Sequence, residues 1–557
     1  MECAARRPRT ILRAGHGTRS RRREAPHLRL DELLSGLEVE ALAGDPSVPV
    51  SGVSYDSRSV RPGDAFFCVR GFVHDGHTFI PQALERGAAA LVVEGSAGME
   101  AALAALAGTP RRPAVAAVPC VRRAMGRAAA NFFGHPSRRL RVIGVTGTNG
   151  KTTTTHLVRE LLEHQGRRCG LIGTVQTLVG GRSLPAGRTT PEAFDLQSLA
   201  AAMVGAGDTH VCLEVGSHAL ALDRVAGFEF DVGVFTNLTQ DHLDFHGDME
   251  SYFGAKAKLF EGLGRSYLPV PKPGPKVAVL NADDPSSPRL AARTRVPVIT
   301  YGLEDGTAGL RATDLELQAG RSTFDLRVRE GLGAGLAGVP GYEGRVTLSL
   351  TGRHNVYNAL AALAVVLVEG LSCERAVAGL AALRGAAGRF ETVDAGQPFL
   401  AVVDYAHTPD GLENVLEAAR ALRPGRVITV FGCGGDRDRT KRPLMGEVVG
   451  RLSDLAVVTS DNPRSEKPEA IIADILPGLE RAGRREGGDF WVDPDRARAI
   501  DLAVRLAMPG DLVLVAGKGH ETYQIFADRT VHFDDREALR EAIVRRLGRD
   551  GGGECGQ

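Results

Sequence analysis

The sequence predicts an α/β protein of three domains: a small α/β N-terminal domain, a central domain with a mostly parallel sheet, and a C-terminal Rossmann-like domain. A chain of 557 residues is long enough for roughly three or four domains of about 150 residues each. β-branched runs alternate with helical stretches along most of the chain, which is typical of parallel sheets flanked by helices. A glycine-rich turn at 147–150 follows one of these runs and indicates that the central sheet carries a P-loop.

Shifts in composition along the chain indicate where the domains begin and end. Residues 1–27 hold eight arginines and no apolar run, and we expect a disordered basic extension there. We expect the three domains at 28–138, 139–385 and 386–550, followed by a flexible tail at 551–557.

Each predicted domain has its own series of strands and helices. In the first domain we expect strands near 51–56, 65–69 and 89–94 and helices near 80–87 and 121–133. In the central domain we expect strands at 141–146, 210–215, 231–236 and 277–281, helices at 151–165 and 355–369, and a glycine-rich hairpin or loop at 331–345. In the third domain we expect strands at 399–404, 426–432, 455–460 and 511–516, each followed by a polar or glycine-rich loop. Since the carboxyl ends of parallel strands meet at one edge of a sheet, these four loops are expected to form one site.

The composition excludes several classes of protein. A formal net charge of +1 argues against a nucleic-acid partner. No apolar run approaches the ~18–20 residues that a membrane span needs. The eight cysteines form no CxxC pair, which indicates reduced thiols and a cytoplasmic protein.

The segment RVIGVTGTNGKTTTT, residues 141–155, predicts a nucleotide-phosphate site. Its glycines allow a tight turn whose N–H groups can face phosphate oxygens. Lys151 adds a cation, and Thr152 can offer a hydroxyl group to Mg²⁺ at the start of a helix. Val145 stands where the strict P-loop pattern has glycine, so the segment is a GTNGKT variant. The predicted phosphate-binding residues are Gly147, Thr148, Asn149, Gly150, Lys151, Thr152 and Thr153.

Polar side chains also follow two later strands of the central domain. Glu214 ends one strand, and Asn237, Asp241 and His242 follow another. Mg²⁺ prefers oxygen ligands, so Glu214 and Thr152 fit a magnesium site, whereas His242 would be an unusual ligand. Taken alone, each of these residues could equally cap a helix or complete a core hydrogen bond.

Lysine is scarce in this chain. Only eight of the 68 basic residues are lysines, and four of these, Lys151, Lys256, Lys441 and Lys518, lie in the motifs described here. Where arginine is the default cation, a lysine is expected at positions that need a primary amine.

Nine motifs in one order resemble those of the Mur ligases, and the resemblance runs from about residue 50 to 537. They are GTNGKTTT, EVGSH, NLTQDHLDFHGDMESYFGAK, GRHNVYNALAA, GRFE, DYAHTPD, FGCGGDRDRTKRPLMG, DNPR and AGKGHE. The resemblance implies an ATP-dependent amide ligase of peptidoglycan precursor synthesis, with a substrate carboxylate activated as an acyl phosphate.

The resemblance also implies roles for individual residues. ATP would be held by the phosphate loop with Asn237, Asn355, Arg389 and Asp404, and magnesium by Thr152, Glu214 and His242. Lys151, Lys256, Glu214 and His242 would be catalytic, and Lys256 matches a lysine that the family carbamylates to N6-carboxylysine. The uridine-nucleotide substrate would contact Tyr55, Ser57, Thr189, Thr190, Ser217, Arg224 and Lys256.

The DNPR segment bears on which amino acid is added. Arg464 offers a planar fork for a distal carboxylate, Arg437 could take the other carboxylate, and Glu521 could take an ammonium group. The resemblance implies that meso-diaminopimelate is added to UDP-MurNAc-L-Ala-D-Glu, and these three side chains fit the charged groups of that amino acid. We expect the protein to be a monomer. The predicted diaminopimelate-binding residues are Arg437, Asp461, Asn462, Pro463, Arg464, Gly517 and Glu521. Two alternatives stay open: a sister ligase that adds L-lysine, and a P-loop NTPase without ligase activity.

Overall fold

The computed structural model describes residues 28–71, 74–107, 112–185, 187–331, 339–383 and 386–551, without the side chains of 549–551. The predicted extension at 1–27 and nearly all of the predicted tail lie outside these residues, as does the predicted boundary at 384–385. The positions of the domain boundaries therefore stay predictions.

The first main sheet has five strands and lies in the N-terminal part of the chain. Its order is Ala41–Ala43, Ala114–Val118, Ala90–Glu94, Asp64–Phe67 and Gly52–Ser54, with only the first pair antiparallel. Its helices are Leu30–Leu33, Ile80–Glu85, Gly95–Leu106 and Val121–Phe132. A small antiparallel pair, Leu28–Arg29 with Pro49–Val50, lies beside it.

The central sheet has eleven strands and is parallel only in its middle. The parallel strands, in spatial order, are Cys169–Ile172, His210–Glu214, Arg141–Thr146, Val232–Phe235, Val277–Asn281, Val298–Gly302 and Leu310–Gln318. Antiparallel strands extend both edges: Thr177–Val179 and Arg182–Leu184 at one, Arg321–Val328 and Tyr342–Leu348 at the other. The glycine-rich segment predicted at 331–345 thus joins two hairpin strands, with residues 332–338 outside the described part.

Helices cover both faces of the central sheet. They are Lys151–His164, Ala193–Ala206, Ser217–Ala221, Leu243–His246, Met249–Gly262, Ser287–Ala291, Arg353–Val368 and Cys373–Leu380. Arg353–Val368 is buried on almost every side and packs with Lys151–His164 in one apolar core. Because the P-loop runs into the helix Lys151–His164, this core fixes the position of the loop.

The third sheet has six strands and is parallel except at one edge. Its order is Glu391–Thr392, Leu400–Asp404, Leu512–Ala516, Val427–Phe431, Leu455–Val458 and Phe490–Val492. Its helices are Pro409–Ala421, Lys441–Leu452, Pro468–Arg481, Arg496–Leu506 and Asp535–Gly551, and a short hairpin pairs Tyr523–Ile525 with Thr530–His532. No helix in the described part of the chain is long and apolar enough to cross a membrane.

Candidate active site

The P-loop, residues 147–153, joins the central strand Arg141–Thr146 to the helix Lys151–His164. Two glycines make the turn possible. Gly147 and Gly150 have φ angles of 151° and 84°, and a Cβ atom at Gly147 would lie 1.9 Å from Oγ1 of Thr236. Asn237 supports the turn from the neighbouring strand, since its Oδ1 accepts from the backbone N–H of Asn149 at 2.8 Å. The loop is therefore held by packing as well as by its own backbone.

Lys151 folds back over the P-loop. Its Nζ donates to the carbonyl oxygens of Gly147 at 3.0 Å and Thr148 at 2.7 Å. Burial lowers the pKa of Lys151, while the charges of Glu214 and Asp241 oppose that shift. The ammonium group is thus kept at the loop where a phosphate group would need neutralising.

Glu214 contacts the P-loop at Thr152. Oε2 of the fully buried Glu214 accepts hydrogen bonds from the hydroxyl groups of Thr152 and Thr174, each at 3.0 Å. Its Oε1 accepts from the backbone N–H of Thr174 at 2.8 Å. A carboxylate and a hydroxyl group side by side at the start of a helix are the oxygen donors that Mg²⁺ takes beside a nucleotide phosphate, so these residues fit the ion.

Lys256 is buried on the helix Met249–Gly262, only 1% exposed, against the same loop. Its Nζ donates to the carbonyl oxygen of Gly147 at 2.6 Å and lies 4.5 Å from the centre of the Tyr252 ring. Burial, assisted by the charge of Lys151, lowers the pKa of Lys256 well below its ordinary value. A neutral amine is the form that can react with CO₂, so the environment of Lys256 suits carbamylation.

His242 lies in a group of aromatic side chains next to Asp241. Its ring centre is 4.7 Å from that of His218, and its Nε2 is 3.4 Å from Oδ2 of Asp241. Burial lowers the pKa of His242 to about 3, so the ring is neutral at physiological pH. Within the described residues, no group of three or more histidine, cysteine, aspartate or glutamate side chains has the arrangement of a metal site. The role of His242 as a magnesium ligand stays a prediction.

Two of the residues predicted for the uridine-nucleotide substrate, Tyr55 and Ser57, lie in the first part of the chain. Tyr55 donates to Oδ2 of Asp195 at 2.6 Å, and this hydrogen bond joins the two parts of the chain. Ser57 donates to Oε1 of Gln82 at 2.5 Å, within the first part. A hydroxyl and a phenol near this junction give it polar groups suited to a nucleotide, and their role as contacts stays a prediction.

A second set of these residues surrounds the end of the strand His210–Glu214. Thr189 accepts from the hydroxyl of Thr174 at 2.9 Å, and Thr190 donates to the carbonyl oxygen of Glu214 at 2.8 Å. Arg224 lies 3.0 Å from Glu192. Ser217 begins the helix Ser217–Ala221, three residues after Glu214, with its Oγ 3.0 Å from Nε2 of His246. The structure thus brings the predicted threonines, Arg224 and Ser217 close to Glu214.

The third sheet meets the P-loop through Arg389. Nη2 of Arg389 donates to the hydroxyl of Thr152 at 3.3 Å, and its guanidinium lies 4.7 Å from the centre of the Tyr405 ring. Asp404 holds the start of this segment, because its two oxygens accept from the backbone N–H groups of Phe390 and Ala406, each at 2.7 Å.

Asn355 lies on the other side of the P-loop, at the start of the buried helix Arg353–Val368. It donates to the carbonyl oxygen of Thr351 at 2.7 Å and accepts from Asn358 at 3.1 Å. Oδ1 of Asn358 accepts in turn from Thr154 of the P-loop helix at 3.2 Å. Asn355 is therefore linked to the P-loop through one intervening side chain.

Two loops at the carboxyl edge of the third sheet, residues 461–464 and 517–521, are here called the rim loops. Nδ2 of Asn462 donates to Oε2 of Glu521 at 2.7 Å, which joins the two loops. A Cβ atom at Gly517 would lie 2.7 Å from Oδ2 of Asp461, so the close approach requires glycine.

Arg464 has a left-handed φ of 54°. Its Nη1 donates to the carbonyl oxygen of Gly435 at 2.6 Å. Burial lowers the pKa of Arg464, and the positive charge of Arg437 lowers it further. The predicted residues Asp461, Asn462, Pro463, Arg464, Arg437, Gly517 and Glu521 therefore come together at one edge.

Four residues of the site were not assigned a role from the sequence. Asp410 accepts from Nδ2 of Asn149 at 2.5 Å, and Lys441 lies 3.5 Å from Asp241, so both connect the third sheet to the central one. Thr174 and Lys518 hold Glu214 and Glu521, respectively. Lys441 and Lys518 could be singled out in the sequence because lysine is scarce in this chain, whereas no motif marks Thr174.

Three family models match the chain in succession. They are the Mur ligase family catalytic domain at residues 49–133, the Mur ligase middle domain at 145–366 and the Mur ligase glutamate ligase domain at 388–519. Known relatives also match this chain over 93% of its length. UDP-N-acetylmuramoyl-L-alanyl-D-glutamate–2,6-diaminopimelate ligases from Geobacillus thermodenitrificans and Solibacter usitatus are each 46% identical to it, covering 93% of this chain and 100% and 98% of their own.

Solved structures extend the comparison to the fold. A structure of a ligase with the same name is 33% identical, with a TM-score of 0.62, and the match covers 94% of this chain and 100% of that one. A MurF ligase from Thermotoga maritima is 20% identical with a TM-score of 0.58, covering 89% and 98%, and shares the fold. With three consecutive domain models and relatives 46% identical over 93% of its length, this chain belongs to the Mur ligase family.

Proposed function

We propose that this protein is an ATP-dependent ligase that adds meso-diaminopimelate to UDP-MurNAc-L-Ala-D-Glu in peptidoglycan precursor synthesis. The observation that carries the proposal is the contact between the P-loop and the third sheet. Arg389 reaches Thr152, and Asp410 reaches Asn149, so the part of the chain that carries the rim loops contacts the predicted phosphate site. The relatives that bear this activity in their names match the chain over 93% of its length.

The reaction has two chemical steps. A carboxylate oxygen of the sugar–peptide substrate attacks the γ-phosphorus of ATP, which forms an acyl phosphate and releases ADP. The amine of the incoming amino acid then attacks the activated carbonyl carbon, loses a proton, and expels phosphate to leave an amide. The protein supplies position and charge rather than a covalent nucleophile.

The central site serves the first step. Lys151 neutralises charge on the transferred phosphoryl group, and the backbone of residues 147–153 surrounds the phosphates. Thr152 and Glu214, with His242 as a further candidate, would hold Mg²⁺, which neutralises phosphate charge when bound. A carbamate on Lys256 would add an anionic ligand next to that site. Asn237, Asn355, Arg389 and Asp404 would complete the contacts with ATP.

The rim loops serve the second step. Arg464 and Arg437 provide guanidinium groups for the carboxylates of meso-diaminopimelate, and Glu521 provides a carboxylate for an ammonium group. L-Lysine has no distal carboxylate, so a guanidinium group at position 464 favours diaminopimelate over the lysine-adding alternative. Tyr55, Ser57, Thr189, Thr190, Ser217 and Arg224 would hold the uridine-nucleotide substrate.

The second alternative, a P-loop NTPase without ligase activity, does not account for the polar loops of the third sheet. A hydrolase needs only water beside the phosphate loop, whereas here two loops joined by the Asn462–Glu521 hydrogen bond lie at the rim. We further propose that the protein acts as a cytoplasmic monomer.

A product assay separates the three readings. The protein is incubated with ATP, Mg²⁺ and UDP-MurNAc-L-Ala-D-Glu, with meso-diaminopimelate, L-lysine or no amino acid, and ADP and products are measured by mass spectrometry. We expect the tripeptide product and an equal amount of ADP with diaminopimelate. ADP formed equally without an amino acid contradicts ligation, and a preferred lysine product contradicts the assignment of the acceptor.

A further inference from the structure

Lys518 is a buried lysine of the third sheet to which the proposed reaction assigns no task. It follows Gly517 in the second rim loop and its side chain is fully buried. Its Nζ has three oxygen neighbours: the carbonyl oxygen of Tyr523 at 2.6 Å, Oε2 of Glu521 at 3.1 Å and Oδ1 of Asn462 at 3.4 Å. The ammonium group therefore lies between the two rim loops and contacts a side chain from each.

Glu521 uses only one of its two carboxylate oxygens in these contacts. Oε2 accepts from Lys518 and from Nδ2 of Asn462, whereas Oε1 accepts no hydrogen bond from any residue in the described ranges. The side chain keeps 14% of its surface exposed, so it is not sealed in the protein interior. Burial and the nearby charge of Asp461 raise the pKa of Glu521, and Lys518 opposes that shift. The result is a carboxylate held at Oε2 whose Oε1 has no hydrogen bond among the described residues.

A separate ion pair holds the backbone of both rim loops. Arg496 and Asp535 are fully buried and bonded through two N–H groups, each at 2.7 Å. Arg496 also donates to the carbonyl oxygens of Ser460 at 3.3 Å and Ala516 at 2.9 Å, the residues that precede the two loops. This ion pair therefore fixes the backbone where both rim loops begin. The contacts of Lys518 are more local, since they orient the side chains of Glu521 and Asn462.

We propose that Lys518 is a positioning residue for the acceptor amino acid, holding Oε2 of Glu521 and the amide of Asn462 so that Oε1 of Glu521 can bind an ammonium group of that substrate. The inference rests on the proposed function. A compact ammonium group suits the enclosed space between three oxygen atoms, whereas a planar guanidinium group is larger and directs its N–H groups in a fixed fork.

A double-mutant cycle tests whether Lys518 acts through Glu521. Steady-state kinetics are measured for the wild type, Lys518→Met, Glu521→Gln and the double variant, with diaminopimelate varied and then ATP varied. We expect Lys518→Met to raise the KM for diaminopimelate about 10- to 100-fold, by analogy with the range found when residues that support metal ligands are mutated. The KM for ATP should stay within about twofold of the wild-type value. In the Glu521→Gln background the same change should lower kcat/KM for diaminopimelate by less than about threefold, because the group it positions is already altered.

Lys467→Met is the matched control, since Lys467 is an exposed lysine of the same part of the chain, and its kinetics should equal those of the wild type. Thermal melting of each variant monitors folding, and Lys518→Gln, which keeps N–H donors, replaces the methionine variant if that variant does not fold. Equal losses in both backgrounds, or an equal rise in the KM for ATP, contradict the proposal. A wild type that forms ADP without tripeptide contradicts the proposed function instead, so the two failures are distinguishable.

Discussion

At the scale of the residue, the surroundings of Lys256 decide its chemistry. Its Nζ is buried beside Lys151 and contacts only a carbonyl oxygen and an aromatic ring among the contacts described, which favours the neutral amine. An arginine at this position would stay charged and could not form a carbamate. A carbamate on Lys256 would account for a lysine at this position in a chain that otherwise prefers arginine.

We therefore predict that Lys256→Arg lowers the ligation rate by roughly 10²–10³-fold, as expected for the loss of a preorganised charged group. Lys256→Ala should be similarly inactive and should regain part of its activity when a short carboxylic acid is added. ¹³C NMR after incubation with labelled bicarbonate should show a carbamate signal in the wild type and none in either variant. Full activity of Lys256→Arg would falsify the role of a carbamate.

Removing the side chain of Arg464 should weaken the binding of diaminopimelate more than the binding of lysine. Cutting a bidentate contact leaves a charge unpaired and typically costs ~2–5 kcal/mol, or roughly 30- to several-thousand-fold in affinity. Arg464→Ala should raise the KM for diaminopimelate by such a factor and leave the KM for ATP unchanged, and Arg464→Lys should recover only part of the loss.

Because Arg464 has a φ of 54°, Arg464→Gly is the matched control for the backbone. It removes the side chain but tolerates the left-handed conformation. We expect the glycine and alanine variants to lose affinity for diaminopimelate alike. Equal losses of affinity for diaminopimelate and lysine would show that Arg464 shapes the loop and does not contact the distal carboxylate of the substrate.

At the scale of the element, the P-loop depends on a glycine that has no room for a side chain. Gly147→Ala would place Cβ 1.9 Å from Oγ1 of Thr236 and close to the backbone of Asn237, at a φ that favours glycine. We expect this variant to lose ~1–3 kcal/mol of the free energy of unfolding and most of its ATP affinity. Thermal melting and calorimetric titration with ATP measure the two effects.

Gly205→Ala is the control for this substitution. Gly205 lies within the helix Ala193–Ala206, and a Cβ atom there meets nothing within 4 Å. Alanine should stabilise the helix by ~0.5–1 kcal/mol and leave ATP binding unchanged. If Gly147→Ala behaved like this control, the P-loop would not need glycine at position 147.

The sequence predicted many of the parallel strands and missed most of the antiparallel ones. It also missed four parallel strands: Ala114–Val118, Cys169–Ile172, Val298–Gly302 and Phe490–Val492. The strand predicted at 210–215 is observed at His210–Glu214, and that predicted at 277–281 at Val277–Asn281. Fully buried β-branched runs between glycines are clear signals. The strands Leu310–Gln318 and Arg321–Val328, for which no prediction was made, alternate exposed and buried residues and include many charged side chains. Partly exposed strands depend on neighbours that a local pattern does not reveal.

At the scale of the whole molecule, the site depends on contacts between the central and third sheets. The hydrogen bond from Asn149 to Asp410 joins the P-loop to the helix Pro409–Ala421 at 2.5 Å, across 261 positions of sequence. Arg389 makes a second such contact with Thr152. Both steps of the proposed reaction require these two parts of the chain to stay together.

We predict that Asp410→Ala lowers kcat about 10- to 100-fold, since a hydrogen bond to a charged group typically contributes ~1.5–3 kcal/mol. The KM for diaminopimelate should change little, because the rim loops are not altered. Glu413→Ala in the same helix is the control: Glu413 pairs with Arg451 at an exposed site within the third part, and its loss should change kcat less than about twofold. Matching losses in both variants would indicate a general defect of the helix and not of the contact between sheets.

By itself, the sequence determined the α/β class, the succession of parallel strands and the chemistry of the phosphate loop. These features follow from local patterns: hydrophobic period, glycine positions and the residue types at strand ends. Only the tertiary structure decided which side chains face each other, such as Lys518 with Glu521 and Asn462, Thr174 with Glu214, and Asn149 with Asp410. Such contacts depend on how separate sheets and loops pack in space, and residues far apart in the chain carry no local signal of their partners.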